Sequence, residues 1–373
     1  MFRLIHRYTA FSAGTVLLLQ SLSGALLIIE KPLDRWIFER FYGTGMANSH
    51  DIGYDGVYRT VTSLRPDDRV VFIRSPDAHE GVYEIILNDF SGERVYVNAS
   101  TGKLLGSRPA LSVPRNLLLI FHTGFLGGEW LEMTMGYAAL IAVMTLISGI
   151  VMWSRGWRRL GAGFRWRLQY GRRLLADSHR DIGFITLPVL LFLILTGAAM
   201  VFHEWTETAL TTLSGQEGRP QRPVPPGNTN PTLPLQQDLD ELVQTARLET
   251  GGARPSFLSL PTDSTGVISV RLRQPGEWHS NGRNTVVFNP ANGDILLAYD
   301  VRKTNATQTL LDNIYPLHVG NFGGIPLQSL YFFSGAAVVY FFITGLWLWW
   351  QRRKILHSTE PMRGRVLSSR SDV

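Results

Sequence analysis

Apolar and mixed-polarity stretches alternate along the chain, and they do so on two different periods. Four runs are apolar throughout and contain no charged residue: Phe11 to Ile29, Met135 to Trp153, Ile182 to Phe202 and Ser329 to Trp350. Each matches the roughly 17–25 residues of helix that cross a bilayer, so the pattern predicts four transmembrane helices. Residues 31–134 and 204–328 are mixed. Within them, "RVYVNASTGKLLG" and "NTVVFNPANGDILLA" both read as strand, turn, strand, with Asn and Gly four apart at Asn98/Gly102 and Asn289/Gly293. "LQQDLDELVQTARLE" predicts an amphipathic helix and "VISVRLR" a strand, while the Pro-, Gly-, Gln- and Asn-rich stretch 214–234 predicts a linker.

The pattern occurs twice. His6 and His179 each lie 18 residues before a glycine that follows Ser or Thr, in Ser23-Gly24 and Thr196-Gly197. His122 and His318 each lie 27 residues before another such glycine, in Ser148-Gly149 and Thr344-Gly345, and 31 before Trp153 or Trp349. A Gly-Gly pair also follows each of these two at five and six residues, as Gly127-Gly128 and Gly323-Gly324. Repeats of this length imply one supersecondary unit used twice. The fold predicted is a mainly α membrane protein. Its four transmembrane helices fall into two halves related by a pseudo-twofold axis, and each half carries a small outer α+β domain.

Charge orients this architecture. Residues 154–181 carry eight arginines against two aspartates, and Arg352, Arg353 and Lys354 follow the last run. Segments 31–134 and 204–328 are slightly acidic, with net charges of −2 and −3. The excess of Arg and Lys places both termini and the Arg-rich loop in the cytoplasm and the large segments outside, which in a Gram-negative cell is the periplasm. The overall charge of +6 is thus spent on orientation, and no basic, aromatic-interleaved surface suggests nucleic acid. Arg3 and Arg7 precede the first run as they would in a secretory signal. No small-x-small site follows, and Glu30-Lys31-Pro32 leads into a large segment, so an uncleaved span is expected.

The expected division along the chain is a cytoplasmic start and first span at 1–30, an outer domain at 31–121, and a His-bearing re-entry segment with the second span at 122–153. The Arg-rich cytoplasmic loop follows at 154–181 and the third span at 182–203. A second outer domain takes 204–317, a second re-entry segment with the last span takes 318–350, and a basic cytoplasmic tail takes 351–373.

There is no cysteine, which excludes disulfides, Cys-ligated iron–sulfur clusters and covalently attached c-type haem. The repeated histidines then carry the chemistry. On the predicted topology, His6 and His179 sit at the cytoplasmic ends of spans one and three, and His122 and His318 sit on the outer side. A twofold axis brings each near its copy, one pair per membrane face. Paired neutral imidazoles suit the two axial positions of a haem iron. A single histidine at a helix end is more simply an interfacial anchor, and a structural zinc site is a further alternative. The Ser/Thr-Gly pairs read as close helix packing, with a side role as room for a flat macrocycle. One position breaks the repeat: 24 residues after His6 comes Glu30, whereas 24 after His179 comes His203. His203 is an alternative outer ligand or a substrate-side residue. His50, His79, His279 and His357 fall in polar stretches and read as solvated.

At these residues the sequence resembles the PepSY-associated transmembrane proteins. "LIHRYTAFSAG", "LLLIFHTGFLGG", "LISGIVMW" and "VYVNASTGKLLG" carry the likeness, which extends from His6 to Trp350. Within that family the chain is most similar to the inner-membrane ferrisiderophore reductases of the ferrioxamine-reductase kind. The resemblance implies two non-covalent b-type haems, ligated through His6, His179, His122 and His318, and reduction of a ferric siderophore of hydroxamate type in the periplasm of a bacterium. It leaves the electron donor open between a quinol and a partner flavoprotein; no nicotinamide or flavin fingerprint is present. Two rival readings follow from the same features. One is a non-enzymatic module that restrains a peptidase or binds a partner; the other is a siderophore or iron transporter.

Overall fold

Each apolar run lies, to within one residue at its C-terminal end, inside a longer helix in the computed structural model, which describes residues 1–42, 51–76, 81–89, 92–154, 172–221, 235, 237–262 and 266–368. In chain order the helices are α1 (Phe2–Ile28), α2 (Glu30–Ile37), α3 (Gly53–Leu64), α4 (Pro114–Gly124), α5 (Glu129–Ser154), α6 (Arg172–Val201), α7 (His203–Ser214), α8 (Leu239–Glu249), α9 (Ala306–Val319) and α10 (Gly324–Ser368). The strands are β1 (Val70–Arg74), β2 (Val82–Leu87), β3 (Arg94–Asn98), β4 (Leu104–Arg108), β5 (Arg254–Ser259), β6 (Ile268–Arg273), β7 (Asn284–Phe288) and β8 (Ile295–Tyr299). α1, α5, α6 and α10 are long and apolar enough to cross a membrane. The chain is a mainly helical membrane protein.

α6 starts ten residues before its apolar run, so His179 lies inside the helix rather than ahead of it. The charged residues of this extension conceal it from an apolarity criterion, and they pair locally: Arg180 Nε donates to Asp181 at 2.8 Å, and its Nη1 lies 3.0 Å from Asp177. Most of the Arg-rich loop (155–171), most of the linker (222–234), and His50 and His79 lie outside the described residues, as does the His357 side chain.

The described chain forms two compact units. The first comprises Met1–Leu26, Phe121–Phe202 and Ser329–Val373; the second comprises Leu27–Ile120 and His203–Gln328. In the first, small residues let the long helices approach, as membrane bundles require when no hydrophobic force draws them together. A Cβ on Gly136 of α5 would sit 2.7 Å from Phe202, and one on Gly335 of α10 would sit 3.1 Å from the Ser21 carbonyl of α1. Aromatic contacts fill the remaining gaps, with Phe11 edge-on to Trp349 at 5.3 Å and Trp153 stacked on Phe184 at 3.9 Å.

The second unit corrects the expectation of two separate outer domains. All eight strands form one antiparallel sheet in the order β4-β3-β2-β1-β5-β6-β7-β8. The junction is β1 against β5, through Phe72↔Ser259, Ile73↔Leu258 and Arg74↔Phe257. Either four-stranded set alone would leave the backbone of β1 or β5 as an open edge, and pairing the two edges satisfies both. α3 and α8 cover one face, over a single core in which Val57, Ile73, Ile85, Leu258, Val270 and Phe288 are fully buried. Asp240 of α8 ties the two helices, since its carboxylate accepts from the backbone N–H of Tyr54 (2.7 Å) and Asp55 (3.2 Å) at the start of α3.

The predicted strand–turn–strand units are present as β3–β4 and β7–β8, and the structure explains their Asn-Gly spacing. Asn98 Oδ1 accepts from the N–H groups of Ser100 and Thr101, and Gly102 then closes the turn onto the Asn98 carbonyl at φ +68°. Asn289 and Gly293 repeat the arrangement, with Gly293 at φ +77°.

Candidate functional site

Three of the four repeated histidines lie in the first unit, and each is held by a neighbouring helix. His6 on α1 presents Nδ1 to the Thr145 carbonyl at 3.0 Å and to Ser148 Oγ at 3.2 Å, both on α5. His122 on α4 presents Nδ1 to the Gln20 carbonyl and to Ser23 Oγ, each at 3.0 Å, on α1. His179 on α6 presents Nδ1 to Thr344 Oγ1 on α10 at 2.8 Å.

These partners settle where the proton sits. A carbonyl oxygen only accepts, so Nδ1 of His6 and of His122 must donate. For His179 the partner is a hydroxyl, but Thr344 Oγ1 already gives its hydrogen to the Tyr340 carbonyl at 2.7 Å. Ser23 and Ser148 likewise donate to backbone carbonyls one turn earlier, at 2.8 and 2.9 Å. In all three histidines Nδ1 therefore carries the proton, and the lone pair is left on Nε2.

The Ser/Thr-Gly pairs thus do more than pack helices. The hydroxyl residue orients an imidazole, and the glycine after it makes room for the ring. A Cβ on Gly24 would lie 3.0 Å from His122 Cε1, one on Gly149 would lie 3.5 Å from His6 Cε1, and one on Gly345 would lie 3.8 Å from His179 Cε1. The spacing along the chain misdirects here. His6 lies 18 residues before Ser23-Gly24 but is held by Ser148-Gly149, while Ser23-Gly24 holds His122. His6 and His179 are also electrostatic neighbours, so the charge of one imidazolium would be felt by the other.

His318 lies near the end of α9 in the second unit. The backbone after it follows the re-entry motif. Gly320 ends α9 in the left-handed conformation at φ +75°, and Gly324, the second glycine of the pair, turns the chain into α10 at φ +58°. After His122 the corresponding Gly128 takes φ +72°, but there Phe125 and Leu126 also adopt positive φ, at +45° and +68°. Side chains other than glycine rarely accept that conformation. The trailing glycines therefore belong to the sharp turn that converts a histidine-bearing helix into a span.

His203 opens α7 and is exposed, and among the described residues it has no hydrogen bond or ring contact. His279, read from the sequence as solvated, is instead 6% exposed. Its ring lies 5.3 Å from Tyr315, and burial together with Arg283, Arg271, Arg273 and Arg115 pushes its pKa down to about 3. Among the described residues no three His, Asp or Glu side chains converge as a metal cluster.

Fold and site together define a membrane protein with four helices long and apolar enough to span, in which His6, His122 and His179 are held in a single tautomer. The model of the PepSY-associated TM region matches residues 3–352, and the chain belongs to that family. No curated protein matches it.

Proposed function

We propose that the protein is a transmembrane electron conduit that holds two b-type haems and reduces a ferric siderophore, of hydroxamate type by resemblance, on the outer side of a bacterial inner membrane. The observation that carries this reading is the orientation of His6, His122 and His179. Imidazoles with Nδ1–H donated to a fixed oxygen and the lone pair on Nε2 are the donor set that axial haem ligation needs, and such supporting bonds raise ligand basicity. The glycines beside the rings let the imidazoles seat against their holders, and neutral imidazoles supported in this way fit the axial positions of a porphyrin iron.

His6 and His179 supply the inner pair. His122 and His318 supply the outer pair by the repeat. A pseudo-twofold relation between the halves is supported by a strand order that reads the same from either end, with β1 antiparallel to β5. The excess of Arg in 154–181 supports cytoplasmic termini and a periplasmic second unit. The bound iron would supply reversible one-electron chemistry. The chain's part is to fix the rings, exclude water and set the potentials through burial and hydrogen bonding. No acid–base pair is needed to reduce a ferric chelate, because ferrous ion is held less tightly by hard oxygen donors and leaves. A quinol or a partner flavoprotein supplies the electron. His203, exposed and unheld, suits contact with the chelate better than ligation.

A pyridine haemochrome assay of the purified full-length protein tests this reading. Two extractable haems per chain are expected, and well below one overturns the conduit. His6→Ala and His179→Ala should each remove the same haem, whereas His122→Ala and His318→Ala should each remove the other. The supporting bonds add a finer test. Thr344→Val removes the hydrogen-bond partner that His179 has among the described residues, whereas Ser148→Ala leaves His6 its bond to the Thr145 carbonyl. Thr344→Val should therefore weaken haem retention by about 10–100-fold and Ser148→Ala by less. His203→Ala should leave both spectra intact while slowing reoxidation of the reduced protein by a ferric siderophore.

A further inference from the structure

The sheet face not covered by α3 and α8 carries an arginine cluster that the conduit does not use. One cross-strand row runs Phe257↔Arg271↔Thr285↔Tyr299 over β5 to β8. Arg271 lies over the Phe257 ring at 5.0 Å, and among the described residues no carboxylate or other acceptor bonds its guanidinium. Arg283 enters β7 beside it. Its Nε is buried without a hydrogen-bond partner, and the nearest carboxylate oxygen, on Asp312 of α9, is 3.9 Å away. Asp312 is already committed, because Arg219 Nε donates to one of its oxygens and the Tyr299 hydroxyl to the other, both at 2.8 Å. Glu277 is the second carboxylate near the cluster; its Oε2 accepts from Gln274 N–H and Asn284, and its Oε1 is buried without a hydrogen-bond partner. Three guanidinium groups thus face two carboxylates, Asp312 and Glu277.

Buried cations without acceptors are costly, and a protein normally pairs them. Here three guanidiniums against two carboxylates leave a shortfall of about one negative charge. Burial and the neighbouring Arg283 push the Arg271 pKa down to about 10, as mutual repulsion demands. We propose that Arg219, Arg271 and Arg283 form a carboxylate-binding site. Arginine forks match a carboxylate bidentately, and the stacked Phe257 holds one fork in plane. The site's place on α9 suggests its use. Asp312 precedes His318 by six residues, about 9 Å along the helix, and the loop after β6 packs toward the same end, with Trp278 against Phe322 at 5.1 Å. The carboxylate would belong either to a propionate of a haem held by His318 or to an acidic ferric chelate arriving there. Only this choice of source rests on the dihaem reading.

The test uses the full-length protein in detergent and gallium(III) citrate, a redox-inert chelate with free carboxylates, as the probe. If an external carboxylate is the ligand, gallium citrate binds the wild type. Arg271→Gln and Arg283→Gln then each weaken binding about tenfold or more, Arg271→Lys weakens it less, and haem content stays the same. If a propionate is the ligand, gallium citrate does not bind. Each Gln variant then shifts the midpoint potential of one haem or lowers its occupancy, and reconstituting the wild type with haem whose propionates are methyl-esterified reproduces that effect. Citrate binding unaffected by either variant, or no citrate binding together with unchanged haem potentials and occupancy, overturns the proposal. A preparation with no haem overturns the conduit instead, and the gallium citrate arm then decides the arginine site alone. Because Arg271 has no acceptor to lose, Arg271→Gln should not lower the melting temperature, which separates loss of binding from loss of fold.

Discussion

Arg108 and Arg271 project from the same face of one sheet, on β4 and β6, and are treated in opposite ways. Arg108 is matched completely. Its two terminal nitrogens each donate to Asp34 at 2.7 Å, Nε donates to Tyr96 Oη at 2.9 Å, and the Phe38, Phe41 and Tyr96 rings lie 4.8–5.0 Å from its carbon. Asp34 receives a further bond from the Tyr42 hydroxyl. Arg74, nearer the centre, lies 3.1 Å from Glu84 as an ion pair, although its Nε makes no hydrogen bond. Across the β1–β5 junction, Arg219, Arg271 and Arg283 face only Asp312 and Glu277. The lesson concerns these two positions: Arg108 is matched by a carboxylate that fits both of its terminal nitrogens, whereas the surplus around Arg271 is a standing positive potential that a folded chain keeps only at a cost in stability.

The comparison breaks most visibly if the matched side is unmatched. Asp34→Asn would strand Arg108, whose side chain is 5% exposed, among three rings. Removing one partner of a buried, hydrogen-bonded pair costs about 3–5 kcal/mol. Thermal or chemical unfolding of the full-length protein should show that loss, with the visible spectrum lost only as the fold is lost. A change below about 1 kcal/mol would mean that Arg108 finds another acceptor, and the contrast with Arg271 would collapse.

The surplus potential should also be readable in pH. His279 sits among Arg283, Arg271, Arg273 and Arg115, with its folded pKa down at about 3 against an ordinary 6.5. The sign follows from proton counts. Between these values the unfolded chain binds a proton that the folded chain refuses, so stability falls as pH drops below 6.5 and is level with respect to this group above it. One proton contributes a slope of at most about 1.4 kcal/mol per pH unit, or about 2 kcal/mol between pH 6.5 and 5. His279→Gln should flatten the unfolding free energy over that window, and Arg283→Gln should make it shallower. If the slope is identical in His279→Gln and the wild type, the arginines do not act on this ring.

How far these features could be read from the sequence depends on how far apart in the chain their parts lie. The four spans follow from contiguous apolar runs, and the β3–β4 and β7–β8 hairpins from an Asn and a Gly four residues apart. The histidines were found through repeated spacing. Their holders were visible as Ser/Thr-Gly pairs but were assigned only to helix packing and room for a macrocycle, because the hydrogen bonds cross between helices while spacing runs along one. The single sheet was not legible, since the β1–β5 junction is three residue pairs joining positions near 73 and 258, with no turn to announce it. The arginine cluster was invisible for the same reason. Arg219, Arg271, Arg283 and Asp312 are scattered over 94 positions, and each looks like an ordinary surface residue of an alternating strand or polar loop.

The smallest expected effect is the most discriminating. Arg271→Met replaces a buried cation that has no acceptor by an apolar side chain of similar length, beside the Phe257 ring it already covers. The transfer removes a desolvation cost and breaks no hydrogen bond, so stability should change by less than about 1 kcal/mol, or rise. The same change at Arg108 would break a bidentate pair and strand Asp34. A large loss from Arg271→Met would mean that the arginine already has a partner in the folded protein, and a bound anion that copurifies with the chain is the partner to look for. Unfolding the wild type and Arg271→Met side by side, before and after exhaustive dialysis, separates the two cases. A difference that disappears on dialysis assigns the lost stability to a removable anion, and one that persists assigns it to the chain itself.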